Sequence, residues 1–261
     1  MQRVDRVTVI GLGMLLMPLL TMWHEIGGHA AACVVTGGRV KAIGAFYVDC
    51  DGPTQVADWI VAGAGVGMNI LLACLAFALW RRVRADLSRL VAYLVWLSEA
   101  FVASGYFVFS GVTGFGDLGV GPDGSFAGVP YPLAVRVAEL AVGACTYVWL
   151  VRLGIRSLSA MIGTGPATIR ARRGVAHVYY ATAGLCAVVV GLLNPLGLVI
   201  TIMSAAASSF GGLAGFISIG FAPGRGDEPR DFLVERSGAV FAAGGVTLLG
   251  FALVLGRSVQ F

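Results

Sequence analysis

The sequence predicts an all-α, polytopic membrane helix bundle of six or seven spans. Three observations lead there. Apolar residues make up 57% of the 261 positions and charged ones only 12%, with a mean hydropathy of +0.85, values outside the range of soluble domains. Apolar stretches near the roughly 20 residues that a span needs recur at about 7–35, 58–80, 88–112, 131–153, 175–193, 196–221 and 237–256, the fifth and sixth divided only by Asn194-Pro195. The basic residues, Lys41 being the only lysine, gather at the ends of those stretches, where they read as topology signals and give no case for nucleic acid. No segment between the spans is long enough for a second folded domain. The N-terminus, MQRVDR before an apolar run, has the look of a signal peptide. We read it as an uncleaved first span, because cleavage near Ala30–Ala32 would discard the segment described next.

The first span carries Trp23 to Ala32, WHEIGGHAAA. It sets two of the three histidines of the chain and a glutamate in an apolar stretch, and ionisable groups in a span usually mark function. Zinc hydrolases commonly place H-E-x-x-H on a helix, so that imidazoles four apart share a face and the glutamate beside the metal acts as general base. Here His24 and His29 are five apart. A regular α-helix would splay them by roughly 140° around its axis. A π-bulge absorbs one residue and brings the rings together, and Gly27 and Gly28 lack the Cβ atoms that would resist it. The spacing resembles the expanded motif of the dipeptidyl peptidase III family of soluble zinc peptidases, in spacing only. Two buried histidines packing a helix crossing are the alternative reading of the same residues.

After the turn Thr36-Gly37-Gly38, the β-prone run from Arg39 to Val48 ends at Asp51-Gly52-Pro53. It suits a short hairpin, a re-entrant strand or an ordinary loop. In the second span Gly63 and Gly67 are four apart, a spacing that permits close helix contact. Asn69 places an amide in the apolar phase, where it must bond to a neighbouring helix or to a substrate backbone. The third span ends in SGYFVFSGVTGFGDLG, and Asp117 stands among its glycines with no basic residue in the following loop. Its carboxylate would complete a tetrahedral metal site with one position left for water, or would simply close a turn. Glu99 and His177 are rival third ligands. Arg136 and Glu139, three apart in the fourth span, are expected to pair. The later spans are rich in small residues, as in Ser204 to Ser209, and allow tight packing. The five cysteines have no C-x-x-C pairing and read as small core residues.

Arg81, Arg82 and Arg84, and Arg170, Arg172 and Arg173, mark their loops as cytoplasmic, whereas the 114–130 loop has no basic residue. The N-terminus is then inside, and the His24 end of the first span faces outward together with Asp117.

Together these places resemble the site-2 protease family of intramembrane zinc metalloproteases. HEIGGHA resembles that family's H-E-x-x-H-A helix, AGVGMN its A-G-P-x-x-N element in the next span, and Gly116-Asp117 its third-ligand aspartate in the span after. The likeness covers roughly residues 15–120. It departs in the longer histidine spacing, in Val66 where the family has proline, in an active site nearer the outer face, and in having no room for an inserted PDZ domain. The resemblance implies a metalloprotease-like membrane core of three spans over residues 1–120, with C-terminal membrane helices of unassigned role over 121–261. It implies Zn2+ on His24, His29 and Asp117, Glu25 as catalytic base and Asn69 on the substrate backbone. The expected activity is hydrolysis of peptide bonds in or near transmembrane segments of membrane protein substrates, by a multi-pass protein of the cell membrane. The competing expectation is a non-catalytic metal-binding membrane protein or transporter with the same ligands. The oligomeric state is open.

Overall fold

The computed structural model describes residues 2–122, 124–198 and 210–261, together with Ile202 and Ala205; the small-residue run at 204–209 therefore lies, Ala205 aside, outside the described residues. The first span is one continuous helical rod of 30 residues, Arg6–Val35. It starts as α1 (Arg6–Met22), capped by the Asp5 carboxylate, which accepts from the Thr8 backbone N–H at 3.0 Å. It changes to π-helix over Trp23–Ala30 and closes as α2 (Ala31–Val35). The spans α3 (Gln55–Arg82), α4 (Asp86–Thr113) and α5 (Pro132–Ile162) follow, then α6 (Ile169–Gly191), entered through a short 3-10 turn at Pro166–Thr168. A short α7 (Gly215–Phe221) and the 17-residue α8 (Gly238–Val254) lie in the C-terminal part.

Five of these helices are long and apolar enough to cross a membrane, and α8 is a shorter apolar helix. Their apolar side chains are distributed accordingly. On α4 the stripe Leu90, Tyr93, Leu94, Leu97 and Phe101 is fully buried, spaced as one helix face, and α4 packs between α3 and α5. On α5 the side chains of Leu133, Val137, Val142, Val148 and Trp149 are exposed, which is favourable only against lipid. α1 packs against α6 and α8 through glycines: a Cβ on Gly11 would come within 2.7 Å of the Phe241 backbone, and one on Gly13 within 2.8 Å of Thr182. Backbones approach this closely where small residues line a membrane interface. In α3 Gly67 has open space around it and a Cβ on Gly63 would meet only Phe126, at 3.9 Å; the close approach there belongs to Gly65.

Two small sheets mark the two ends of the first span, which at about 1.5 Å per residue is roughly 45 Å long. At its start β1 (Gln2–Val4) pairs in parallel with β4 (Phe232–Val234). Beyond its end β2 (Arg39–Ile43) pairs antiparallel with β3 (Val48–Asp51), with a bulge between Val40 and Ala42. The second side of β2 is taken by β5 (Val259–Gln260), and Phe261 donates its N–H to the Lys41 carbonyl. Cys33 and Cys50, read from the sequence as packing residues, instead form a disulfide with a Cα–Cα distance of 6.0 Å. The turn after α2 folds the hairpin back beside the helix and brings Cys50 to it. A cross-link over this separation contributes about 3 kcal/mol in chain-entropy models. Arg136 does not pair with Glu139: it reaches back from α5 and donates to the carbonyls of Gly111 and Val112 at the open end of α4, where a cation meets the negative end of the helix.

Candidate metal centre

The site is built on the π-helical turn. In that winding a backbone N–H bonds five residues back, as Ala31 does to Ile26, so residues five apart return to one face. His24 and His29 consequently meet: their Nε2 atoms are 3.1 Å apart and their ring planes cross at 79°. The wide turn is also held from outside. A Cβ on Gly28 would stand 2.7 Å from the Gly65 Cα, whereas one on Gly27 would make only ordinary contact with Met68. Of the two glycines in the motif, Gly28 is therefore the one the crossing with α3 requires. The Trp23 indole N–H donates to the Met68 carbonyl at 3.3 Å and fastens the start of the turn to the same helix.

Asp117 reaches this pair from the loop after α4. Gly114 ends that helix in the left-handed region at φ +77° and Gly116 follows at +82°, conformations that glycine adopts without strain. Beyond them the loop folds onto itself, with Gly119 donating to Gly116, Gly121 to Gly114 and Phe126 to Gly119. The Asp117 Oδ2 is placed 3.2 Å from His24 Nε2 and 3.3 Å from His29 Nε2. Burial alone would raise the Asp117 carboxyl, but the two imidazoles facing it hold it well below the usual carboxylate range.

The tautomers follow from the partners on the far side of each ring. His29 Nδ1 lies 2.7 Å from the Val61 carbonyl, which can only accept, so Nδ1 carries a proton. His24 Nδ1 faces the Asn69 amide at about 3 Å. The His29 Nε2 lone pair, His24 Nε2 and the Asp117 carboxylate thus face one another, an arrangement that a shared cation would satisfy. Ligand atoms bonded at about 2.0–2.1 Å in a tetrahedron stand about 3.3–3.4 Å apart. The three separations here, 3.1, 3.2 and 3.3 Å, fit that spacing. Glu25, beside them, keeps one carboxylate oxygen without a partner in a buried position. One ligand atom from each of His24, Glu25 and His29 lies within 4.8 Å of the others, so this group could hold a metal ion.

Gly65 is the wall of the site. A Cβ there would come within 2.5 Å of His29 Nε2 and 2.7 Å of His24 Nε2. The glycine of the AGVGMN stretch that matters is thus the one in contact with the imidazoles. Tyr106, not singled out in the sequence, stacks on the His24 ring at a centroid distance of 5.1 Å with its hydroxyl 3.3 Å from His24 Nε2. It follows Glu99 by seven residues, two turns along one face of α4, and that spacing is the signal that marks it. The two rival third ligands lie elsewhere. His177 bonds the Ile217 carbonyl at 3.0 Å and packs against the Phe221 ring at an interplanar angle of 58°. Glu99 sits behind His24, along a cavity of about 60 Å3 that runs from His24 and Glu25 past Tyr106 to Ser98 and Tyr179, enough for a few waters at about 10–15 Å3 each. Compared with known proteins, the chain matches no family model, no curated protein and no solved structure.

Proposed function

We propose that this chain is an intramembrane zinc metalloprotease that hydrolyses peptide bonds in or near transmembrane segments of membrane protein substrates in the cell membrane. The observation that carries the reading is the convergence of His24 Nε2 and His29 Nε2, on the first span, with Asp117 Oδ2 at 3.1–3.3 Å, beside a Glu25 carboxylate with one buried oxygen unpartnered. Two imidazoles and one carboxylate at tetrahedral spacing suit zinc and leave a fourth position open, as hydrolytic sites do.

Zinc bound there would supply a Lewis acid that acidifies water and polarises the scissile carbonyl. The residues of the chain do the rest. Glu25 takes the proton from the attacking water and returns it to the leaving amine. The Tyr106 hydroxyl, beside His24 Nε2, donates toward the negative charge that develops on the carbonyl oxygen. Gly65 keeps the wall of the site low enough for both rings to stay in place.

Substrate access follows from the same framework. A transmembrane helix must open before its amides can be attacked, and an opened strand can add to a sheet edge. On β2 that edge is occupied by β5, which leaves the outer side of β3 for the incoming strand. We place this end of the protein outward, since a disulfide at Cys33 and Cys50 belongs to an oxidising compartment and the arginine bias agrees with it.

The test is reconstitution in liposomes with a fluorogenic single-span substrate. Removal of metal with a chelator should abolish cleavage, and stoichiometric Zn2+ should restore it. Cleavage that persists in metal-free protein would overturn the reading.

A further inference from the structure

Glu99 is 2% exposed, lies near the middle of the α4 span, and forms no ion pair among the described residues. A carboxyl group placed in this way is costly and calls for a function. Its contact is with the amide of Asn69, which is itself only 1% exposed. In one orientation of the amide Nδ2 lies 3.2 Å from Glu99 Oε2, 3.3 Å from the Gly65 carbonyl and 3.0 Å from His24 Nδ1, with Oδ1 3.2 Å from the same Nδ1. Once its two hydrogens are given to Glu99 and Gly65, which can accept them, Nδ2 has none left for His24, and Oδ1 accepts the His24 Nδ1–H. The opposite orientation would set the amide oxygen against two acceptors.

These contacts form a chain of three groups from α4 through α3 to the first span. We infer that Glu99 is a positioning residue for the metal site: it fixes the Asn69 amide, which in turn holds the proton of His24 on Nδ1 and keeps the Nε2 lone pair directed at the ion. Metal-binding histidines generally take such an outer partner, and loss of one typically weakens metal binding about 10–100-fold. Here the outer partner is an amide, and an amide can turn over. The carboxyl of Glu99 and the carbonyl of Gly65 are what select the productive face. Asn69 is thereby assigned to His24, with both hydrogens of its amide used within the protein.

The inference rests on the metal-site reading and concerns affinity, so the readout is Zn2+ titrated into metal-free full-length protein in detergent against a competing chelator. Glu99→Leu should weaken Zn2+ binding about 10–100-fold, whereas Glu99→Gln, which keeps an acceptor oxygen, should bind as the wild type does. Because Glu99 acts through Asn69, the double variant Asn69→Ala with Glu99→Leu should bind no more weakly than Asn69→Ala alone. Wild-type affinity in Glu99→Leu, or additive losses in the double variant, would overturn the inference. Where Glu99→Leu does not fold, Glu99→Gln decides: unchanged affinity supports the role and a tenfold loss removes it. A wild type that binds no Zn2+ would instead remove the metal reading itself.

Discussion

Replacing Glu25 by Gln should leave zinc bound and lower peptide hydrolysis by about 10²–10⁴-fold, the range that a positioned general base supplies. The substitution keeps the size and hydrogen-bonding outline of the side chain but removes the basic oxygen. In the proposed site the metal would be held by other atoms, the Nε2 of His24 and His29 and the Oδ2 of Asp117, so its retention is expected on geometry. The measurement pairs zinc content by elemental analysis with initial rates on the liposome substrate. The same variant separates the two functional classes. A transporter or metal-binding scaffold using the same ligands has no step that requires the Glu25 base, and would keep most of its activity. A Glu25→Gln protein with normal zinc and near-normal cleavage would exclude the role assigned to Glu25.

The second large effect is expected at a residue that bonds nothing. Gly65→Ala adds one methyl group at 2.5–2.7 Å from atoms of both imidazoles, closer than real Cβ contacts come. Because Gly65 is also pressed against Gly28, the helix cannot retreat without opening the crossing that holds the π-turn. The rings must therefore move, and Zn2+ affinity should fall on the order of 100-fold or more, at least the upper range for loss of an outer partner. Gly67→Ala, two residues on in the same helix and with open space around it, is the control and should bind Zn2+ as the wild type does. Equal affinity in the two variants would show that the close packing at Gly65 does not matter to the ion.

How far the sequence foretells this arrangement depends on the range of each interaction. The π-turn is local: two histidines one residue too far apart, with Gly27-Gly28 between them, leave few ways to bring the rings together. Asp117 is different, since nothing within its own loop distinguishes a metal ligand from a turn aspartate. Only the resemblance of the chain's order of elements to that of a known family points to it. The spacing of Gly63 and Gly67 suggests a close contact but not which face of the helix makes it, and the contact belongs to Gly65. Tyr106 is marked only by its seven-residue spacing from Glu99, because an aromatic residue in an apolar span serves equally well against lipid. The disulfide and the β5 strand depend on where the hairpin folds back and on a two-residue pairing from the far end of the chain, distances that no local pattern encodes. Glu99 and Asn69 each stand out in the sequence as polar groups in apolar spans, but their pairing does not.

The account depends on one ion being gripped by two imidazoles that a π-turn brings to the same side. X-ray absorption at the zinc edge on the purified full-length protein tests this most directly. The account predicts one zinc per chain with two imidazole nitrogens and carboxylate oxygen at about 2.0–2.2 Å, and loss of one imidazole shell in His29→Ala. A zinc-free protein, or an absorption spectrum unchanged by His29→Ala, would contradict it.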